Sequence, residues 1–203
     1  MADRGPSTEV ADDHSGSLVA VVRRLMAASV THLTDPAETE ELAQRVGEIA
    51  DQLAAADAPV LTSRYGEASG EGGFDPSSLF THDYVFGSAN PLALPVPVRW
   101  EPPEAVAEAT FTRLYEGPPD GVHGAVLAAT FDQICNVANI GSGVAGFTVE
   151  LEVAYRALTR IDRPVRFRAE VSSVVERQVI TRAEAEQDGK VTASAVGTFR
   201  AFA

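Results

Sequence analysis

Residues 122–138, V-H-G-A-V-L-A-A-T-F-D-Q-I-C-N-V-A, leave no polar side for a helix to turn toward water. Val122, Ala125, Val126, Leu127, Ala128, Ala129, Phe131, Ile134, Cys135, Val137 and Ala138 are spread around the whole helical circumference. A helix that is apolar all round must be buried. The rest of the chain therefore has to wrap it. Two residues resist that environment: His123 at the mouth of the segment and Asp132 inside it. An ionised carboxylate in hydrocarbon must find partners or take up a proton.

The wrapping material follows the helix. Val149, Leu151, Val153 and Tyr155 share one face of an alternating segment, with Thr148, Glu150, Glu152 and Ala154 on the other. Val165, Phe167, Ala169 and Val171 repeat the period of two. Two further strands, Val175 to Glu186 and Val191 to Phe202, are joined by Asp188-Gly189, a hairpin turn signal. Before the helix, L-F-T-H-D-Y-V-F (79–86) is aromatic and β-branched, and 105–115 alternates, so both are expected as strands. The order predicts an α+β domain over 80–203, an antiparallel sheet wrapped around one long central helix.

The N-terminal part reads differently. Residues 1–61 are expected as a helical extension. Leu18, Val21, Val22, Leu25 and Met26 form one stripe over 17–33. In the next helix Asp35 is placed to cap, Pro36 to fill the first turn, and Glu38, Glu40 and Glu41 to meet the positive end of the dipole. Leu42, Val46, Ile49 and Leu53 then give a one-sided helix ending near Ala56 and Pro59, which implies a partner surface. Residues 62–79 are a Gly/Ser-rich linker.

A net charge of −13 argues against nucleic acid or an anionic membrane as a partner. The imbalance is concentrated early: residues 1–80 carry 14 acidic and 5 basic groups, whereas 150–203 carry 8 and 9. Arg156, Arg160, Arg163, Arg166 and Arg168 would best receive an anionic ligand, since arginine forks suit phosphate. The N-terminus lacks the order of a signal peptide, no run approaches a membrane span, and the lone Cys135 fits a reducing compartment, so a cytoplasmic location is expected. The four histidines have no ligand spacing, so no metal is expected, and no phosphate-cradling, dinucleotide or nucleophile-elbow motif occurs.

Four ordered motifs carry a specific likeness: V-F-G-S-A-N-P-L-A-L-P-V (85–96), G-P-P-D-G-V-H-G-A (117–125), Asp132 nine residues after His123, and T-V-E-L-E-V-A-Y-R (148–156). Together they resemble the hotdog-fold acyl-CoA thioesterases of the phenylacetic-acid-degradation type, within the 4-hydroxybenzoyl-CoA thioesterase superfamily, from about residue 83 to the end. The resemblance implies a hotdog fold and hydrolysis of an acyl-CoA to a free acid and coenzyme A, the latter being part of the substrate rather than a cofactor. It implies Asp132 as general base or nucleophile, the Gly124 amide as the donor that polarises the thioester carbonyl, His123 as an orienting group and Thr148 as support for the acid. Arg156 is a candidate for the coenzyme A phosphates, and Asn136 and Ala125 for substrate contact. Two positions depart from the family: Ala125 replaces a second glycine, narrowing the approach of the acyl group, and Pro119-Asp120 replaces Pro-Gly, placing a negative charge near the entrance.

The chemistry agrees with those assignments. Thioester hydrolysis passes through a tetrahedral intermediate, so donors are needed where charge grows on oxygen, with a base opposite. The first turn of a helix supplies unpaired N–H groups, and glycine there adds no β-carbon. Each assignment has a bland counterpart: a capping histidine, an Asp132 satisfied by neighbours such as Asn136, a Thr148 that is merely a strand former. Gly124 and Asp132 are eight positions apart, so on one helix they lie ~12 Å apart and cannot flank one carbonyl. The site is therefore expected between two subunits, in a homodimer or a dimer of dimers. The reading from another class is a non-catalytic hotdog protein that binds acyl-CoA or another acyl ligand.

Overall fold

The computed structural model describes residues 12–32, 35–55 and 74–202. The first eleven residues, the expected helix end at Ala56 to Pro59 and linker residues 62–73 lie outside the described residues. Helices α1 (Asp12–Thr31), α2 (Pro36–Ala54) and α3 (Pro76–Leu79) precede strands β1 (Val98–Glu101) and β2 (Glu104–Thr110). A 3-10 turn (Arg113–Tyr115) leads to helix α4 (Gly124–Gly141), followed by β3 (Gly146–Tyr155), β4 (Pro164–Val175), β5 (Gln178–Gln187) and β6 (Lys190–Ala201).

All six strands form one antiparallel sheet in the order β1-β2-β4-β5-β6-β3. Its concave face receives α4, which touches every strand. This is the hotdog arrangement expected from the helix with no polar side. Phe131, Ile134, Cys135, Val137 and Ala138 of α4 are fully buried. Phe131, Phe167 and Phe111 meet edge to face in a chain, with centroids 5.8 and 6.2 Å apart, pinning the helix to the sheet. Each such side chain contributes roughly 1.5–3 kcal/mol by leaving water. At the helix end Gly141 is obligatory: a β-carbon there would lie 2.4 Å from the Trp100 ring.

One strip of α4 escapes the sheet. Ala125 is exposed, and Ala128, Ala129, Asp132, Asn136 and Ile140 are half-buried. They follow one another at the spacing of a helix face.

The structure corrects three strand expectations. Residues 79–86 do not form a strand: Asp83 Oδ1 accepts from the amides of Val85 and Phe86 at 2.7 and 2.8 Å, folding the segment into an Asx turn. Gly87 closes it, donating to the Asp83 carbonyl at 3.0 Å. The alternation at 105–115 supports a strand only to Thr110, after which the chain coils into the 3-10 turn. Third, β3 holds a β-bulge. Thr148 pairs with Phe199 and Glu150 with Thr198, so Val149 is the extra residue. The face assignments reverse across it. Thr148, Leu151 and Val153 are half-buried, while Val149 is 60% exposed. At the β5–β6 turn Asp188 and Gly189 both have positive φ, as a primed hairpin turn requires.

Asp35 caps α2 through the amides of Ala37 and Glu38. Helix α1 rests on the 3-10 turn with Val19 buried. Arg23 donates to the carbonyls of Gly87, Asn90 and Pro91 at 3.2, 2.8 and 3.4 Å. The end of the expected linker is part of the body, since Phe74, Pro76 and Leu79 pack in or against the core. Among the described residues no helix is long and apolar enough to cross a membrane.

Candidate active site

The first turn of α4 spends all its early amides except one. His123 is the N-cap, and its Nδ1 accepts from the Ala125 N–H at 3.0 Å. The amides of Val126 and Leu127 donate to the His123 carbonyl at 3.0 and 3.3 Å. The Gly124 N–H finds no acceptor among the described residues. It lies at the positive end of the helix dipole, where an oxyanion is stabilised. Because Nδ1 accepts, the neutral His123 ring carries its proton on Nε2, turned away from the cap. The His123 amide donates to the Tyr115 carbonyl at 2.8 Å, which fixes the cap to the 3-10 turn. Burial pushes the Tyr115 hydroxyl above its ordinary range, and nearby Arg23 opposes that shift.

Tyr155 was not singled out from the sequence as a site residue, although it is the last residue but one of the fourth motif. Its hydroxyl donates to the Gly124 carbonyl at 2.8 Å. A β-carbon on Gly124 would sit 3.3 Å from the Tyr155 ring, so glycine makes room for the phenol. Tyr155, Gly124, Leu127, Arg156 and Leu158 line a cleft of about 330 Å³. Arg156 lies on its rim, Nε and Nη2 both donating to Ser194 Oγ at 3.2 and 3.0 Å, with the side chain open to solvent.

Asp132 and Thr148 meet in a second cluster. Thr148 Oγ1 donates to Asp132 Oδ1 at 2.7 Å, a short bond to a half-buried carboxylate. The bulge at Val149 is what aims the threonine inward. Asp132 Oδ2 accepts no hydrogen bond from the described residues. Asn136 does not satisfy the carboxylate: its Nδ2 donates to the Asp132 backbone carbonyl at 3.1 Å. Cys135, next along the helix, is fully buried; burial first, and the charge of Asp132 second, push its thiol far above the ordinary range.

The structure thus brings His123, Gly124, Ala125, Tyr155 and Arg156 together at the start of α4, and Asp132, Thr148 and Asn136 two turns further on. At 1.5 Å per residue the eight-residue separation of Gly124 and Asp132 is ~12 Å. Asp132 and Asn136 of the second group lie on the strip of α4 that the sheet leaves uncovered.

Residues 121–194, which hold both clusters, match the family model of the thioesterase superfamily. A crystal structure of a thioesterase superfamily protein superposes with a TM-score of 0.80 at 29% identity, over 97% of this chain and 93% of that one. Over residues 121–194, then, the chain is similar to the thioesterase superfamily. The likeness to that relative takes in the N-terminal helices as well as the hotdog domain. Zebra fish thioesterase superfamily member 2 shares the fold at 18% identity and a TM-score of 0.54, over 62% of this chain and 95% of its own. A Streptococcus mutans protein bound to acetyl CoA does so at 12% identity and 0.50, over 53% and 88%. A search of curated protein sequences returns no match.

Proposed function

We propose that this protein is a thioesterase that hydrolyses an acyl-CoA to a free acid and coenzyme A at a site shared by two subunits. The observation that carries the reading is the pairing of two unspent groups on the one core helix. Gly124 offers the first-turn N–H without an acceptor, and Asp132 offers a carboxylate oxygen without a donor.

In this reading the thioester carbonyl of the substrate accepts from the Gly124 N–H of one subunit. Asp132 of the other subunit takes a proton from water, and the resulting hydroxide attacks the carbonyl carbon. The tetrahedral oxyanion is held by the amide and the helix dipole. When the C–S bond breaks, the thiolate recovers the proton from Asp132. Thr148 occupies Oδ1 and so leaves Oδ2 facing the water, which favours a base over a nucleophile. His123 Nε2–H is left free to orient the acyl or pantetheine portion, Arg156 meets coenzyme A phosphates, and Ala125 and Asn136 flank the acyl group. Acetyl CoA in the Streptococcus mutans relative supports coenzyme A as the thiol.

The two-subunit arrangement has independent support in the edge of the sheet. β3 runs ten residues with one side unpaired among the described residues, and Phe147, Val149 and Tyr155 along it are more than half exposed. A long apolar edge demands cover. Pairing two copies along β3 also lays the uncovered strips of the two α4 helices toward one another.

The test is thiol release across a panel of acyl-CoAs by wild type and Asp132→Asn. The amide keeps an acceptor for Thr148 but cannot take the proton, so the rate should fall by about 10²–10⁴. A wild type that binds acyl-CoA without releasing thiol would make this a binding protein. Equal rates for the two proteins would remove Asp132 from the reaction.

A further inference from the structure

Helix α2 has no buried residue, although helices in proteins owe most of their stability to packing an amphipathic face. Its apolar residues Leu42, Val46, Ile49 and Leu53 are 38 to 55% exposed, at spacings of four, three and four. That is the seam of a helix meant to lie against another helix. Leu42 and Val46 of the seam face α1 across an open groove of about 720 Å³, whose opposite wall is formed by Leu25, Met26 and Ala28. The α1 wall is fixed to the body by Val19 and by the three carbonyls that bind Arg23. The body itself contributes no residue to the groove.

We propose that this pair of helices docks on the same pair in a second copy of the chain, α2 crossing its counterpart antiparallel near Val46 and Gly47. Three observations favour this occupant. An isologous contact must be self-complementary, and α2 carries both halves of one: the large residues run beside a column of small ones, Ala43, Gly47 and Ala50. A side chain built at Gly47 would meet nothing within 4 Å, so the column is open for a knob to enter. Second, the exposed parts of Leu18, Val21, Leu25 and the four seam residues amount to roughly 550 Å² per copy, the larger part of the ~800 Å² that each partner gives to a standard interface. Third, Glu38, Glu40, Glu41, Glu48 and Asp51 outnumber Arg45 on the polar side of α2, which repels nucleic acid and anionic membranes. The contact is separate from the β3 edge and so joins dimers into a dimer of dimers.

Sedimentation of the full chain tests this whatever its catalytic fate. The wild type should run as a tetramer, and the Val46→Asp/Ile49→Asp variant as a species of half the mass, with thiol release per chain within twofold. These residues lie outside the hotdog core, and circular dichroism checks that the sheet survives. Independently, Gly47→Cys should give a disulfide-linked pair of chains under mild oxidation, since a symmetric crossing brings the two copies of position 47 together and the native Cys135 is buried. Equal masses for wild type and variant, or no cross-link, would overturn the proposal. So would a dimeric wild type that binds an apolar dye which the double variant does not, because a different occupant would then own the groove.

Discussion

Proline at position 124 isolates the proposed oxyanion donor better than any truncation could. Gly124 is the first residue of α4, the one helical position where proline is welcome, because its missing N–H would have no partner. Here that holds literally: no hydrogen bond among the described residues is lost. His123 already has φ −61° and ψ 134°, the extended region that a following proline requires. The remaining cost is crowding of the half-exposed Tyr155 ring, 3.3 Å from a β-carbon at 124, and Gly124→Ala supplies the same β-carbon while keeping the N–H. The ratio of the two variants therefore reports the amide. Loss of one oxyanion donor costs about 2.7–4 kcal/mol in the transition state, or about 10²–10³ in kcat. Both variants should fold, with Tm values within a few degrees of each other. Thiol release from the best acyl-CoA of the panel is the assay. Should Gly124→Pro hold kcat within threefold of Gly124→Ala, the first-turn amide does not carry the developing charge and the proposed mechanism fails.

Other substitutions probe the neighbouring chemistry. Thr148→Val keeps the shape but removes the 2.7 Å bond to Asp132, and should cost about 1.5 kcal/mol in urea unfolding at neutral pH, while Thr148→Ser restores most of it. Cys135 should resist thiol reagents in the native state and react only on unfolding. Its folded form holds the proton above the ordinary thiol value while the unfolded form releases it. Stability should therefore fall as pH rises beyond about 8.5, by up to ~1.4 kcal/mol per unit, a slope that Cys135→Ala flattens. Asp120 sits at φ 58°, in the left-handed region, and its 3.9 Å approach to Arg113 is solvent-exposed. Asp120→Gly should raise stability by up to about 1 kcal/mol in thermal unfolding, because the strain relieved exceeds a screened ion pair.

Much of this architecture was legible because burial imposes strong patterns. A helix with no polar side forced a sheet to enclose it, and the alternation in β4, β5 and β6 with the Asp188-Gly189 turn showed which way that sheet runs. The errors occurred where one local hydrogen bond outweighs propensity. At 79–86 aromatic and β-branched residues suggested a strand, yet a single Asp83 carboxylate bonding two amides turns the chain instead. Alternation alone placed Thr148 opposite Leu151 and Val153, and nothing in T-V-E-L-E-V-A-Y-R announces that Val149 is an extra residue. A bulge is a property of register between two strands, so a single strand's sequence does not display it.

That bulge is also the physical link between fold and site. Without it, Thr148 would point to the outer face of the sheet and Asp132 would lose its donor. With it, one oxygen of the carboxylate is held and the other is presented on the strip of α4 that the chain's own sheet leaves bare. Gly124 shows the same economy at the other end, because His123 and the helix satisfy every neighbouring amide and leave one. Each half of the chemistry is complete within a subunit, yet α4 is rigid and holds the two halves ~12 Å apart. In the proposed mechanism a second α4 placed alongside brings the donor and the base to opposite sides of one carbonyl. A heterodimer of Gly124→Pro and Asp132→Asn chains puts this to the test: it keeps one intact composite site formed by the unmutated amide and the unmutated acid. Mixing the two inactive variants should therefore recover up to about a quarter of the wild-type rate per chain. Recovery near zero, in a mixture shown to exchange subunits, would mean that both groups act within one subunit.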